Sequence, residues 1–195
     1  MDGVISLLAD ILLNVGVDAE HIHRKRALQL PGFFRPTKEW DLLLIRDDQL
    51  VAAVEVKSHI GPSFGNNFNN RTEKAMGSSL DLWTAYREGA FNRDVRPWLG
   101  YLLLLEDCQE SRRQIRAREP HFEVFPEFKE ASYAQRYGLF CRKLVRERHY
   151  NAAAFLTSDR GAGLDGKYNE PARDLGFDAF VRSLYAQAIA FGRES

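Results

Sequence analysis

The sequence predicts a single α/β domain in which a mixed β-sheet is flanked by helices. Three observations carry that expectation. Segments of helical and strand period alternate along the chain in the order α-β-β-α-β-α-β-α. The stretch PWLGYLLLLED, residues 97–107, contains an unbroken apolar run, as a central strand buried on both faces requires. The chain has 195 residues, enough for one sizeable core, and carries no internal repeat and no low-complexity linker. Residues 1–195 therefore read as one domain.

Taken in order, Val4, Leu7, Leu8, Ile11 and Leu12 recur at helical spacing and predict a first helix over about 3–15. HIHRKR, 21–26, reads as an exposed basic connection. PGFFRP, 31–36, holds two prolines and a glycine and reads as bent or extended. The apolar run DLLLIR (41–46), the turn signal DDQ (47–49) and the strand LVAAVEVKS (50–58) together predict a β-hairpin. Asn70 with Glu73 three residues on has the form of a capping box, so a helix is expected to begin there. Ala75, Ser79, Leu82, Trp83 and Tyr86 give that helix one face, and Gly89 ends it. Residues 63–71, just before its body, read as a loop. The central strand follows at 97–107, then a polar, proline-punctuated stretch (108–129) that reads mostly as loop. A helix at about 130–149, a strand at about 152–157, a Gly-rich loop (161–166) and a last helix at about 178–191 complete the chain.

Composition excludes more than it selects. Lys+Arg and Asp+Glu each number 27, so no global field draws the chain toward nucleic acid or a membrane. The basic residues are 20 Arg and 7 Lys, and Arg is the better bidentate partner for phosphate and guanine edges. Cys108 and Cys141 make neither a disulfide framework nor a metal-ligand pair, and they read as reduced thiols of a cytosolic protein. The apolar stretch Val4–Val17 contains Asp10 and Asn14 and lacks a basic leader, so it reads as an amphipathic helix rather than a signal or a membrane span.

The chemistry concentrates on the hairpin. Asp41 opens its first strand, and Glu55 and Lys57 sit one residue apart on its second, a D-x13-E-x-K spacing. Glu55 and Lys57 project from one face because strand side chains alternate. Facing strands bring in-register residues to ~5 Å, and two carboxylates that close repel each other. A hard divalent cation such as Mg²⁺ removes the conflict, and an adjacent lysine orients water or offsets charge on a phosphate. The spacing therefore suits hydrolysis of a phosphodiester. A structural ion pair and a metal-independent acid/base pair remain open alternatives. What favours chemistry is that Glu55 follows LVAAV and Asp41 leads LLLI, runs too apolar for a solvated face.

The stretch PGFFRPTKEWDLLLIRDDQLVAAVEVKSHIGPSFGNNFNNRTEKAMGSSLDLWTAYREGAF, residues 31–91, closely resembles the XhoI family of type II restriction endonucleases. Its segment GPSFGNNFNNRTEKA is long and unusual, which makes the resemblance specific. The resemblance implies the PD-(D/E)xK nuclease fold, dependence on Mg²⁺ and cleavage of double-stranded DNA at the palindrome CTCGAG. Asp41 and Glu55 take the places of the two acids and Lys57 that of the lysine, with Asp41, Glu55 and the Val56 carbonyl as metal ligands. Trp40 stands where the motif has proline. A palindrome is matched by two-fold protein symmetry, so a homodimer on DNA is expected. Family members carry several tens of residues before the point matching Met1, so this chain is expected to lack an N-terminal extension, as a late-start product or a fragment. A DNA-binding module of the same fold that no longer cleaves is the alternative.

Asn66, Asn67 and Asn69, with Arg71, follow the strand of Glu55 and Lys57 closely enough to meet DNA, and Asn and Arg suit adenine and guanine edges. Asn is also a turn former and helix cap, and Asn70 reads as a cap. His59 ends the strand in a position to face substrate. SRRQIRAR, 111–118, fits phosphate binding or a solvated face paired with Glu110, Glu119 and Glu147 equally well. GAGLDGK, 161–167, matches a dinucleotide fingerprint but carries Asp165, with Pro171 close behind, so a surface loop is expected.

Overall fold

The computed structural model describes residues 1–91 and 96–192. Helix α1 (Asp2–Asn14) follows from its 3.6-residue period and buries Leu8, Ala9 and Leu12. A 3-10 turn at Ala19–His21 leads into β1 (Ile22–His23), where the sequence predicts only a basic connection. Two residues are too few to display a period of two; β1 exists because it pairs with the sheet, Ile22 opposite Leu44 and His23 opposite Leu43. β2 (Gln29–Pro31) and β3 (Thr37–Glu39) form a separate antiparallel pair around the PGFFRP bend. β4 (Leu42–Arg46) and β5 (Gln49–His59) are the expected hairpin, antiparallel with Leu42 opposite Val54. Asp47 and Asp48 connect them with φ of 49° and 60°, the left-handed pair that a two-residue type I′ turn needs.

The remaining elements are α2 (Phe64–Arg87), β6 (Trp98–Glu106), the single turn α3 (Gln109–Arg112), α4 (Tyr133–Arg146), β7 (Ala152–Ser158), the single turn α5 (Arg160–Leu164) and α6 (Phe177–Gly192). The five-stranded sheet has the order β1-β4-β5-β6-β7. β6 lies parallel to both neighbours, and β4 lies antiparallel to β5 and β1, so the sheet is mixed. Alternation divides its side chains between two cores. Leu43, Ala53, Leu99, Leu103 and Phe155 pack under α2 and α4, with Ala75, Leu82, Tyr137 and Leu144. Leu42, Val54, Val56, Leu102 and Leu156 pack on the other face against Leu8 and Leu12 of α1 and Phe180 and Leu184 of α6. The result is a helix–sheet–helix sandwich in which parallel strands are covered on both faces.

Two expectations are corrected. Residues 63–71 are not a loop: α2 begins at Phe64, after Ser63, so Asn70 and Glu73 lie inside the helix rather than at its cap. Phe64 stacks on Tyr133 at 5.6 Å and Phe68 meets Tyr137 edge-on at 4.9 Å. That i, i+4 aromatic pair buries enough surface to override the weak helix propensity of the asparagines between and beside it. The Gly-rich stretch is likewise partly helical, because Asp159 accepts the Ala162 N–H at 2.8 Å and caps α5.

Candidate active site

β4 starts at Leu42, opposite Val54, so among the described residues the end of β5 runs on with no strand beside it on that edge. Asp41 fills the first position of the gap. Its N–H donates to the Val54 carbonyl at 3.1 Å, and its carboxylate Oδ2 accepts the Val56 N–H at 2.8 Å. A side chain thus completes the ladder, and the Asp41 carboxylate is held at the open strand edge.

Strand alternation places Glu55, Lys57 and His59 on the α2/α4 face with Ala53. Glu55 is only 3% exposed. The Lys57 Nζ lies 3.0 Å from Asp41 Oδ2 and 3.1 Å from Glu55 Oε1, and it donates to the Val56 carbonyl at 3.4 Å. Three oxygens from three residues therefore surround one cationic nitrogen. Burial works to lower the Lys57 pKa, but the charges of Glu55 and Asp41 and their hydrogen bonds outweigh it and hold the amine above the usual lysine range.

Two further residues complete the site, and sequence reasoning missed both. Lys38 reaches in from β3, its Nζ 3.4 Å from Glu55 Oε1 and 4.1 Å from the centre of the Trp40 ring. Burial, aided by the charge of Lys57, pulls its pKa below the usual lysine value against the opposing pull of Glu55. The only sequence signal was its period-two offset from Trp40. Tyr150, which precedes β7, has its hydroxyl 3.3 Å from Glu55 Oε2 and 3.0 Å from the Ala75 carbonyl. No local pattern could have linked residues 95 apart in sequence.

His59 does not face substrate. It is fully buried, its Nδ1 2.7 Å from the Tyr137 hydroxyl and its ring against Phe64. Burial and the nearby Arg71 push its pKa down to about 4. Asn66 and Asn69 are exposed and Asn67 is half-buried on the first turns of α2. Arg71 follows on the same helix, half-buried, with its Nε enclosed and without a hydrogen-bond partner among the described residues. Tyr101, level with Glu55 on β6, keeps a buried hydroxyl in the same condition.

The sequence implies a divalent ion at this donor set. Among the described residues no group of three His, Cys, Asp or Glu is placed to hold a metal. The oxygens of Asp41, Glu55 and Val56 already converge on one ammonium, and an all-oxygen set of two carboxylates and a carbonyl suits Mg²⁺, which completes its shell with water and substrate phosphate. The residues fit the ion.

A mixed sheet flanked by helices, with an acid-bearing hairpin leading into a parallel strand, is the architecture of the restriction-endonuclease-like class. Residues 1–170 match the model of the family "Restriction endonuclease XhoI". The type II restriction enzyme BstVI of Geobacillus stearothermophilus is 52% identical over 189 residues, covering 94% of this chain and 84% of the relative. The type II restriction enzyme XhoI of Xanthomonas vasicola is 52% identical over 147 residues, 74% of this chain and 59% of that one. The type II restriction enzyme AbrI of Azospirillum brasilense is 58% identical over 123 residues, 63% of this chain and 55% of that one. The matches thus span less than two thirds of the latter two relatives. No solved structure gives a significant match. The chain belongs to the XhoI family of restriction endonucleases, type II site-specific deoxyribonucleases that act on double-stranded DNA. Among the described residues no helix is long and apolar enough to cross a membrane.

Proposed function

We propose that this chain cleaves double-stranded DNA at the palindrome CTCGAG with Mg²⁺, as a homodimer on its site. The observation that carries the reading is the convergence of Asp41 and Glu55 on one cationic nitrogen at an open strand edge, within 3.1 Å of both. Asp41, Glu55 and the Val56 carbonyl are the metal ligands in this proposal. Mg²⁺, when bound there, acts as a Lewis acid on the phosphoryl oxygen and acidifies water. Lys57 orients the attacking water and offsets negative charge building on the phosphorus. Its raised pKa keeps it protonated at neutral pH in the metal-free chain, which suits the second task. Lys38 adds a second cation beside Glu55, and Tyr150 fixes the other Glu55 oxygen. Asn66, Asn67 and Asn69 present amides from the start of α2 to base edges, and Arg71 on the same helix turns its guanidinium to phosphate or guanine.

Incubation with supercoiled plasmid holding one CTCGAG site tests the reading. Linear product with Mg²⁺ and none in EDTA is expected. Cleavage in EDTA would support a metal-independent acid/base pair instead, and tight binding without cleavage under either condition would leave a DNA-binding module.

A further inference from the structure

We propose that Arg24, Lys25 and Arg26 on one flank, and Arg113, Arg116 and Arg118 on the other, grip duplex phosphates on either side of the Asp41–Glu55–Lys57 site. The inference rests on the nuclease reading and extends it to the path of the DNA. It starts from the end of the sheet where the site lies. Gly61, just beyond β5, donates its N–H to Glu106 Oε2 at 2.8 Å, and Arg160, just beyond β7, donates to Glu106 Oε1 at 2.6 Å. Glu106 ends β6, so the exits of three parallel strands are tied at one point, on the edge where α/β sheets take their ligands.

The arginine segment leaves from that knot. Its backbone is held rather than loose: Ser111, 1% exposed, exchanges hydrogen bonds with Cys108, and Arg136 donates to the Ile115 carbonyl at 3.0 Å. Arg113, Arg116 and Arg118 are exposed, and none forms an ion pair among the described residues. Glu119 instead accepts the Val124 N–H, so the self-neutralised face that the sequence allowed is not formed by these three. Their neighbour Arg112 is paired, with Asp107. Five residues of chain reach at most ~18 Å, about half a helical turn of duplex.

The second segment lies on the opposite flank. The pairing of Ile22 with Leu44 and His23 with Leu43 ends β1 one register step short of Leu42, and Arg24, Lys25 and Arg26 leave the sheet there in a bend. The chain returns at Leu28, whose carbonyl accepts the Trp40 N–H at 2.9 Å. Lys25 and Arg26 are exposed, Arg24 is half-exposed, and all three lack an acidic partner among the described residues. The order β1-β4-β5-β6 sets the ends of β1 and β6, from which the two segments leave, about three strand spacings apart, ~14 Å, with β4 and β5 between them. The strand ends are thus about as far apart as the ~12 Å width of the major groove, which suits segments leaving from them to phosphates of opposite strands.

The test is the salt dependence of binding to a CTCGAG duplex in EDTA, read by fluorescence anisotropy. R24Q/K25Q/R26Q and R113Q/R116Q/R118Q are compared with wild type and with R182Q, which removes a paired arginine of α6. Each triple variant should flatten the slope of log K against log salt by about 2–3 units, at ~0.9 per phosphate released, and R182Q should not. A triple variant whose thermal midpoint falls is replaced by its single members, each expected to lose about one unit. An unchanged slope in either triple, or an equal loss in R182Q, overturns the two-flank grip while wild-type cleavage stands. An unchanged slope with altered sedimentation of DNA-free protein assigns the arginine segment to a protein interface instead and also overturns it. No duplex binding by wild type removes the nuclease reading itself.

Discussion

At the scale of single residues, the site is a small set of charges balanced around one buried carboxylate. Glu55 is buried, and its two oxygens are spoken for by Lys57, Lys38 and Tyr150. Asp41 and Lys57 are more open, and Asp41 doubles as a ladder partner for Val56. His59, adjacent in sequence and on the same face, belongs to the packing instead. Its pKa is depressed to about 4, so the native state refuses a proton that the unfolded chain accepts below ~6.5. Stability is therefore full above pH ~6.5 and is lost as pH falls toward about 4, by up to ~3 kcal/mol from this group. Urea unfolding at pH 7 and pH 5 should show the loss in wild type and a flatter dependence in His59→Leu. Equal pH dependence in both proteins would place the acid sensitivity elsewhere.

At the scale of elements, the hairpin and the start of α2 give contrasting tests. Asp81 of α2, 3% exposed, accepts the N–H groups of Phe33 and Phe34 at 2.7 and 2.8 Å and the Arg35 guanidinium at 2.7 Å. Burial opposes its charge, but those donors prevail and hold the carboxyl below the usual range. A Cβ at Gly32 would stand 2.5 Å from Asp81 Oδ2, so glycine is required for this approach. The anchor fixes the β2–β3 pair that carries Lys38. Asp81→Ala should cost about 1–3 kcal/mol in unfolding free energy and lower the cleavage rate, since three donors lose their acceptor. The asparagines behave oppositely. As an exposed helical position Asn69 is suboptimal, so Asn69→Ala should raise stability by a few tenths of a kcal/mol while relaxing base preference by ~1–3 kcal/mol at one position. Destabilisation by Asn69→Ala would mean that the residue is structural. The same elements mark what was legible in the sequence. The hairpin, the central strand and the pairing of Asp41 with Glu55 and Lys57 were readable because alternation and turn chemistry are local. The start of α2 was not, because Phe64 and Phe68 make it helical by packing on Tyr133 and Tyr137 of α4. Lys38, Tyr150 and the edge strand β1 depend on contacts that only the folded chain creates.

At the scale of the whole molecule, the proposed site and the proposed palindromic target call for two chains. Light scattering of protein with a CTCGAG duplex should give two chains per duplex. One chain per duplex would mean that each strand is cut in a separate encounter. We propose Asp41, Glu55 and Lys57 as a metal-assisted phosphodiesterase centre. The most direct measurement is single-turnover cleavage of a CTCGAG duplex with Mg²⁺ by wild type and Lys57→Ala, with duplex affinity measured on the same proteins in EDTA. The account predicts that Lys57→Ala binds within a few-fold of wild type and loses cleavage by at least about a hundredfold, the scale of a lost charge-stabilising group. Cleavage by Lys57→Ala at the wild-type rate would contradict it.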